Sequence, residues 1–293
     1  MKHLINYLLA LKRFSQVFFL FLFNLDFVTF INSIKLQKAM ISKSFLKRFC
    51  VPGMNCYSCP AAIGSCPIGS IQFWLNDTAL KINLGEKINF VGFYIIGFLA
   101  LIGGSVGRLL CGFVCPFGFI QDMIGKLSKL NYRIPKIFRA IKYIVLVLFV
   151  IVLPFFFLDI SILSPWFCKL LCPVGTLQAG VPLLLVDEGL RKASGFITIF
   201  KFSVLFLFIV LMFLSKRAFC KILCPLGAIW GMFNRISLLK LTIKRNTCTK
   251  CKLCEEKCPM NVEILKNPNS SECVRCMECL KNCPTQSITT KFY

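Results

Sequence analysis

Residues 88–107 form a run of twenty residues without a charged side chain, bounded by Lys87 and Arg108. At 1.5 Å per residue, a helix of this length spans about 30 Å, the thickness of the hydrocarbon core of a membrane. A backbone in that environment has to satisfy its own hydrogen bonds, which a helix does. The run therefore predicts a membrane-spanning helix and rules out a simple soluble domain.

Three more apolar runs accompany it. Residues 143–158 carry no charge and residues 193–215 carry a single lysine, so both predict spans. Residues 15–34 are rich in Phe but contain Asn24 and Asp26, so this segment either crosses the membrane or lies in the interface as an amphipathic anchor. Because 57% of the residues are hydrophobic, we expect a mostly α, polytopic membrane helix bundle of about four spans.

The distribution of Lys and Arg predicts the orientation of these spans. Residues 109–140 and the stretch after residue 215 are basic and predict cytoplasmic segments, whereas residues 163–193 predict an external loop. Residues 35–87 are also external by alternation, although they too are basic. The net charge of +23 favours membrane lipid over nucleic acid as a partner. We expect a multi-pass protein of a bacterial or archaeal cytoplasmic membrane.

The carboxy-terminal stretch contains two cysteine runs, which begin at Cys248 and Cys273 and share the spacing Cys-x2-Cys-x2-Cys-x3-Cys-Pro. Bacterial ferredoxins have this spacing: three close cysteines bind one [4Fe–4S] cluster, and the distant fourth binds the other. Zinc sites use paired cysteines, and disulfides do not suit a cytoplasmic module. Residues 241–293 therefore predict a bacterial-type 2[4Fe–4S] ferredoxin domain. The predicted ligand sets are Cys248, Cys251, Cys254 and Cys283 for one cluster, and Cys273, Cys276, Cys279 and Cys258 for the other.

A second motif, Cys-Pro-apolar-Gly-x-apolar, occurs four times, at Cys66, Cys115, Cys172 and Cys224. A Gln follows the first three copies. The first and third copies are nearly as far apart as the second and fourth, so the duplicated unit contains two spans and two motifs. Because a two-span unit keeps its orientation, the pattern predicts parallel repeats, with the first and third motifs on one membrane face and the second and fourth on the other.

Three of these motifs carry another cysteine four residues earlier, which gives the pairs Cys111/Cys115, Cys168/Cys172 and Cys220/Cys224. Residues four apart lie on one helix face, so both thiols of a pair can bind the same object. The proline that follows disfavours a helical conformation for the second cysteine, so we expect each helix to end there, with the glycine turning the backbone.

Two pairs supply four thiolates, enough for one more cluster. The inner set, predicted to bind a third cluster on the cytoplasmic face, is Cys111, Cys115, Cys220 and Cys224. The outer set, predicted to bind a fourth, is Cys59, Cys66, Cys168 and Cys172. Alternatively, the four amino-terminal cysteines, of which Cys50 and Cys56 are the other two, bind a cluster alone. A further alternative is that these cysteines are small buried apolar residues, or that the outer thiols form disulfides.

Other chemistry finds little support. His3 is the single histidine, which excludes a bis-histidine haem, the usual zinc hydrolase and a His-based triad. No P-loop, dinucleotide fingerprint or Gly-x-Ser-x-Gly elbow occurs, so no catalytic residue is predicted. We predict three stretches: an amino-terminal membrane anchor and Cys-rich segment (1–87), membrane helices with the Cys-x3-Cys-Pro motifs (88–240), and the ferredoxin domain (241–293).

Membrane helices that end in Cys-x3-Cys-Pro, followed by a double ferredoxin run, resemble the NapH-type membrane polyferredoxins. This family includes the quinol-dehydrogenase subunit of periplasmic nitrate reduction and the membrane electron donor for nitrous-oxide reductase. The family pattern matches Cys111/Cys115, Cys220/Cys224 and the eight ferredoxin cysteines. Because Cys168/Cys172 and the run from Cys50 to Cys66 are additional, the chain is most similar to a cysteine-richer branch.

The resemblance implies electron transfer between a soluble cytoplasmic donor and a membrane quinone or an extracytoplasmic acceptor, with a flavoprotein among the candidate partners. Quinol oxidation or reduction on one membrane face is a second hypothesis, in which the protein is part of a quinol dehydrogenase. A third hypothesis, from a different class, is a redox sensor or a metallocentre-assembly membrane protein.

Overall fold

The structure is a computed structural model that describes residues 2–42, 44–128, 131–157 and 165–293, with side chains from residue 11 onward. Within these ranges the chain is mostly helical and forms one two-stranded sheet. This agrees with the mostly α part of the predicted fold class. The last residue of the predicted span 143–158 lies outside the described residues.

The first half of the chain is built from helices of very different length. These are α1 (Lys2–Leu22), α2 (Phe27–Leu36), α3 (Pro67–Leu84), α4 (Val91–Val106), α5 (Leu109–Phe113) and α6 (Pro116–Leu127), with a 3-10 turn at Phe45–Arg48. The middle contains α7 (Lys136–Val145), a π-helical segment (Leu146–Val152), α8 (Leu153–Phe156), α9 (Trp166–Leu170), α10 (Pro173–Gly175), a second π-helical segment (Thr176–Gly180), α11 (Val181–Val186), α12 (Glu188–Lys192) and α13 (Phe196–Leu214).

The last third contains short helices and the sheet. Its elements are α14 (Ala218–Ile222), α15 (Pro225–Phe233), β1 (Leu239–Ile243), a 3-10 turn (Arg245–Thr247), α16 (Leu253–Glu256), α17 (Glu278–Lys281) and β2 (Ile288–Phe292). Strand β1 pairs antiparallel with β2, and Leu239 lies opposite Phe292. The pairing joins the two ends of the segment that carries the ferredoxin-type cysteines, so that segment is closed as a module.

Two helical stretches of the described chain are long and apolar enough to cross a membrane, Lys136–Phe156 and Phe196–Leu214. The pair Leu11–Leu22 and Phe27–Leu36, bent by 54°, is a third if it counts as one span. Helix α4, within the run 88–107 that predicts the clearest span, has only 16 residues, about 24 Å at 1.5 Å per residue. Four full-length spans are therefore not confirmed.

The break between α1 and α2 explains the polar residues in the first apolar run. Asp26 is the N-cap of α2, and its side chain accepts hydrogen bonds from the Thr29 amide (3.1 Å) and hydroxyl (2.8 Å). Asn24 donates to the Leu20 carbonyl oxygen at 2.8 Å. Both side chains satisfy helix ends.

The chain forms two compact units. The first unit consists of Met1–Phe19, Phe98–Lys142 and Met212–Tyr293, and the second consists of Leu20–Gly97 and Tyr143–Leu211. The four divisions fall inside α1, α4, α7 and α13. Each unit is thus assembled from separate stretches of sequence, and the linear division into three stretches stays a prediction.

In the first unit, the cysteine module packs directly against helix backbones. A methyl group at Gly231 of α15 would lie 2.7 Å from the Ser271 carbonyl oxygen, so only glycine allows this approach. Asn234 donates to the carbonyl oxygens of Ser270 (2.8 Å) and Cys273 (2.7 Å). Arg275, which is buried, donates to the Val106 carbonyl oxygen at 2.7 Å. The module is therefore fixed on the helix ends of this unit.

We predict that Gly231→Ala lowers the stability of the protein relative to Gly104→Ala. Both substitutions favour a helix, but a methyl group at Gly104 has no heavy atom within 4 Å, whereas at Gly231 it overlaps backbone and costs about 2 kcal/mol. The thermal midpoint of the purified protein in detergent measures the difference. Equal midpoints for the two variants would contradict the close packing.

Candidate iron–sulfur sites

The two cysteine runs of the module have the same backbone conformation. At three equivalent positions a non-glycine residue has positive φ, and the pairs are Lys250 and Arg275 (53° and 49°), Lys252 and Met277 (59° and 62°), and Asn261 and Gln286 (52° and 52°). Such residues cost about 1 kcal/mol or more each and persist where the structure requires them. Alternating right- and left-handed residues turn successive amides inward, as in anion-binding and iron–sulfur sites. The backbone thus fits two bound anionic clusters.

The module brings the cysteines together in a crossed arrangement. Cys258, the last cysteine of the first run, interacts electrostatically with Cys273, Cys276 and Cys279 of the second run. Cys283, the last of the second run, interacts with Cys254 of the first run. The exchange of fourth ligands stays a prediction, and these interactions are of the kind that it requires.

The exposure of the module's thiols divides them further. Burial raises the pKa of Cys273 to about 11, and Cys258 adds to the shift. Cys251 is exposed and Cys248 is partly exposed. The set around Cys251 therefore lies at the surface, and the set around Cys273 lies inside the first unit.

All four Cys-Pro motifs share one local geometry, which confirms the expected helix breaks. Cys66, Cys115, Cys172 and Cys224 have extended backbones and precede the first residues of α3, α6, α10 and α15. The motif glycines do not turn the backbone, because they lie inside those helices. A methyl group on each would instead lie within 4 Å of a cysteine sulfur, at Gly69 (3.9 Å), Gly118 (3.9 Å), Gly175 (3.7 Å) and Gly227 (3.5 Å). The glycines leave space beside the thiols.

In the first unit, three of the four thiols of the predicted inner pairs come together, Cys111, Cys220 and Cys224. Cys220 and Cys224 are close enough to affect each other, and Cys111 interacts electrostatically with Cys220 and Cys224. Cys115 is buried at the start of α6. Gln121 Nε2 donates to Cys220 Sγ at 3.1 Å. The second and fourth motifs thus form one thiol-lined site.

Two buried arginines lie beside these thiols. Arg108 interacts electrostatically with Cys111, Cys220 and Cys224, and its Nε has no hydrogen-bond partner among the described residues. The proximity of Cys224, together with the positive charges of Arg217 and Arg108, holds the pKa of Cys220 below its ordinary value, and the same proximity raises the pKa of Cys224. Thiolates are the form that binds iron. The site therefore fits an anionic cluster with a buried N–H beside it.

Arg217 is held by Asp122. Its Nε and Nη2 each donate to one carboxylate oxygen of Asp122 at 2.6 Å, and Nη1 donates to the Cys111 carbonyl oxygen at 3.2 Å. Burial acts to raise the pKa of Asp122, but the charge and hydrogen bonds of Arg217 lower it to about 2. This bidentate pair joins the two cysteine-pair segments of the first unit.

In the second unit, the outer cysteines come together differently from the prediction. Cys168 interacts electrostatically with Cys172, Cys66 and Cys56, and Cys172 also affects Cys56 and Cys66. Cys59 lies at the edge of this group: it affects Cys56 electrostatically, and its Sγ faces Asn24 Oδ1 at 3.9 Å. The group that the structure assembles is Cys56, Cys66, Cys168 and Cys172.

Sequence reasoning missed several residues around these thiols. In the second unit, Gln72 Nε2 lies 3.5 Å from Cys168 Sγ, and Gln178 Oε1 accepts from the Cys56 amide at 2.7 Å. The glutamine that follows three of the four motifs was the available signal, since Gln121 has the same role in the first unit. Nothing in the sequence distinguishes Cys56 from Cys59 as a member of the thiol group, or Arg108 from other arginines as a neighbour of thiols.

No group of three or more His, Cys, Asp or Glu in the described parts of the chain is arranged to bind a single metal ion. A four-iron cluster is larger than one ion, so its ligand sulfurs stand further apart.

Three segments of the chain, residues 88–135, 142–186 and 198–244, match a family described as a 4Fe-4S binding domain. An uncharacterized protein of Methanocaldococcus jannaschii is 30% identical over 223 residues, which cover 73% of this chain and 82% of that protein. The ferredoxin-type protein NapH of Haemophilus influenzae is 29% identical over 226 residues (72% and 71%). The methylamine utilization ferredoxin-type protein MauN of Paracoccus denitrificans is 29% identical over 172 residues (58% and 53%). No solved structure matches the chain.

These findings define a 4Fe-4S-binding protein of the ferredoxin type. The chain belongs to the NapH-type family of membrane polyferredoxins, a family of iron–sulfur electron-transfer proteins. Each of the three matched segments contains one of the cysteine pairs.

We predict that the double substitution Cys220→Ala/Cys224→Ala removes about four iron atoms per chain from anaerobically purified protein, the content of one cluster. Cys50→Ala/Cys59→Ala, which removes two buried cysteines outside the assembled groups, serves as the matched control. Iron and acid-labile sulfide analysis measures both. An unchanged iron content in Cys220→Ala/Cys224→Ala would mean that Cys220 and Cys224 are packing residues and not cluster ligands.

We also predict that Asp122→Asn destabilises the protein by about 3 kcal/mol, because it leaves the buried Arg217 without its partner. The pKa of Asp122 is about 2, so its carboxylate stays ionised and the loss is the same from pH 5 to 8. The contribution would disappear only as the pH falls from about 4 through 2. Thermal midpoints across this pH range check the prediction. Glu188→Gln, whose ion pair with Lys192 is exposed, should change little.

Proposed function

We propose that the protein transfers electrons between a soluble cytoplasmic donor and an acceptor that is either a quinone in the membrane or a protein beyond it. Bound [4Fe–4S] clusters supply one-electron transfer. The two module sets and the set Cys111, Cys115, Cys220 and Cys224 would hold three of them in the first unit.

One contact carries this proposal. Helix α5 begins just before Cys111 and presents Gly112 to the module, where a methyl group would lie 2.8 Å from the Val274 carbonyl oxygen and 3.6 Å from Cys276 Cα. The backbone of one ligand set therefore touches the backbone of the next. Short separations of this kind favour electron transfer between neighbouring centres.

Positive charges lie beside both neighbouring sets. Arg217 interacts electrostatically with Cys220 and with Cys276, and Lys221 interacts with Cys220 and Cys258. Lys221 is held in place by hydrogen bonds to Asn261 Oδ1 (2.6 Å) and Ser215 Oγ (2.9 Å). Burial lowers the pKa of Lys221 to about 7, so Arg217 is the permanent cation of the two. Its charge offsets the negative charge of thiolates and clusters, which favours addition of an electron.

The exposed end of the module is suited to docking an acidic donor protein. Cys251 is exposed, and exposed basic side chains surround it in the sequence: Lys244, Arg245, Lys250, Lys252 and Lys257. A basic surface attracts a negatively charged redox protein and raises its rate of association. We therefore expect the donor to dock beside Cys251.

Reconstituted vesicles test the proposal. We expect wild-type protein, given an acidic ferredoxin reduced outside the vesicle, to reduce a membrane-soluble quinone or a trapped dye over many turnovers. Cys220→Ala/Cys224→Ala removes ligands of the cluster beside the module and should lower the rate at least about tenfold. A tenfold loss corresponds to about 1.4 kcal/mol of barrier. Cys50→Ala/Cys59→Ala is the matched control and should keep the wild-type rate.

The choice of acceptor identifies the route. Reduction of the quinone without the trapped dye places the acceptor in the membrane, and reduction of the dye without added quinone places it beyond. Reduction that stops after one equivalent per cluster in both assays contradicts electron transfer as the function and supports a redox sensor.

A further inference from the structure

The second unit assembles four thiols that the proposed function does not require. We propose that Cys56, Cys66, Cys168 and Cys172 hold a further [4Fe–4S] cluster, and that Cys50 and Cys59 are not among its ligands. This site goes beyond the proposed function, since the first unit could exchange electrons with a quinone without it.

The four thiols act on one another as a group, and Cys59 adjoins the group through its electrostatic effect on Cys56. Cys168 interacts electrostatically with each of the other three. Cys172 is close enough to affect Cys56 and Cys66 as well. All four side chains are free of disulfides. Thiolates are the form that binds iron, and the positive charge of the iron ions offsets the repulsion among four thiolates.

The surroundings repeat those of the inner set. Gln72 contacts Cys168 at 3.5 Å in the second unit, as Gln121 contacts Cys220 at 3.1 Å in the first. The Gly175 amide donates to Cys172 Sγ at 3.4 Å, as the Gly227 amide donates to Cys224 Sγ at 3.3 Å. The same sequence motif thus builds the same thiol environment twice.

Two motif glycines lie close to the sulfur atoms of this group. A methyl group at Gly175 would lie 3.7 Å from Cys56 Sγ and 4.0 Å from Cys172 Sγ, and one at Gly69 would lie 3.9 Å from Cys168 Sγ. Backbone amides of Ile68 and Gly69 donate to Cys66. N–H donors to ligand sulfur are a general feature of iron–sulfur sites.

A lysine in an apolar helix lies beside the same thiols. Lys201 is the single charged residue of α13, and it interacts electrostatically with Cys56 and Cys172. A charge inside a membrane-spanning helix is costly and is kept where a partner exists. An anionic cluster among these cysteines gives Lys201 that partner.

Cys50 and Cys59 have other contacts. Cys50 Sγ lies 3.7 Å from Ser70 Oγ, and the Cys50 backbone bridges to Ser65. Cys59 Sγ lies 3.9 Å from Asn24 Oδ1, and its carbonyl oxygen accepts from Lys47 Nζ at 3.4 Å. These two residues therefore provide a control matched in residue type, unit and number.

The test compares two double variants of the full chain, purified without oxygen. Cys168→Ala/Cys172→Ala should lose about four iron and four sulfide atoms and one paramagnetic centre of the reduced protein. Cys50→Ala/Cys59→Ala should retain all of them. The signals of the module clusters, which lie in the other unit, report whether each variant has folded.

Single variants decide the ligand set. Cys56→Ala should remove the centre or convert it to a three-iron form with a signal in the oxidised protein, and Cys59→Ala should match the wild type. The reverse result assigns Cys59 as the ligand and overturns the proposed set. Equal iron contents in both double variants and the wild type overturn the site itself.

Alkylation of wild-type protein gives a second readout that does not depend on a folded variant. Denatured in the presence of a chelator and alkylating agent, the protein should yield all four cysteines alkylated, because a cluster keeps them reduced. In the native protein the same four should be protected until iron is removed. Recovery of these four cysteines as disulfides from material never exposed to oxygen contradicts the cluster.

Discussion

The concentration of thiolates in buried places is the constraint on which this structure depends. Desolvation and mutual repulsion both disfavour the ionised form of a thiol, yet only that form binds iron. The chain meets the constraint with N–H donors and cations placed at the sulfurs. Gly227 and Gln121 donate to thiols in the first unit, and Arg108 and Arg217 supply charge there. Burial without these partners would leave neutral thiols.

One short motif solves the local problem repeatedly. The cysteine before proline is held in an extended conformation, its sulfur faces the first turn of the next helix, and the glycine in that turn leaves room beside it. The glutamine one turn further on reaches a cysteine of another copy: Gln72 reaches Cys168, and Gln121 reaches Cys220. Two copies of the motif therefore complete one thiol environment, which gives the duplication of the sequence a physical reason.

The two units use charge differently. Buried arginines with carboxylate partners surround the thiols of the first unit, where Arg217 pairs with Asp122 at 2.6 Å and Arg108 lies 3.7 Å from Glu272. The thiols of the second unit have Lys201, from an apolar helix, as a charged neighbour. The first arrangement also holds the module in place, because Arg108 donates to the Ser271 carbonyl oxygen at 2.6 Å. Electrostatics and assembly are linked in that unit.

The sequence by itself determined the parts of the protein that depend on local spacing. Two identical cysteine runs defined a ferredoxin-type module, and residues four apart on a helix, followed by proline, defined thiol pairs at helix ends. The pairing of the motifs also followed, because duplication preserves orientation.

Only the tertiary structure decided which residues complete each site. Cys56 and Cys59 lie in an irregular segment without periodicity, so spacing carries no information on which thiol faces Cys168. Arg108 and Lys201 become partners of thiols through the packing of segments far apart in sequence. Hydropathy likewise could not predict that α4 has only 16 residues. An uncharged run limits how long a helix can be, but packing against neighbouring segments determines where the helix begins.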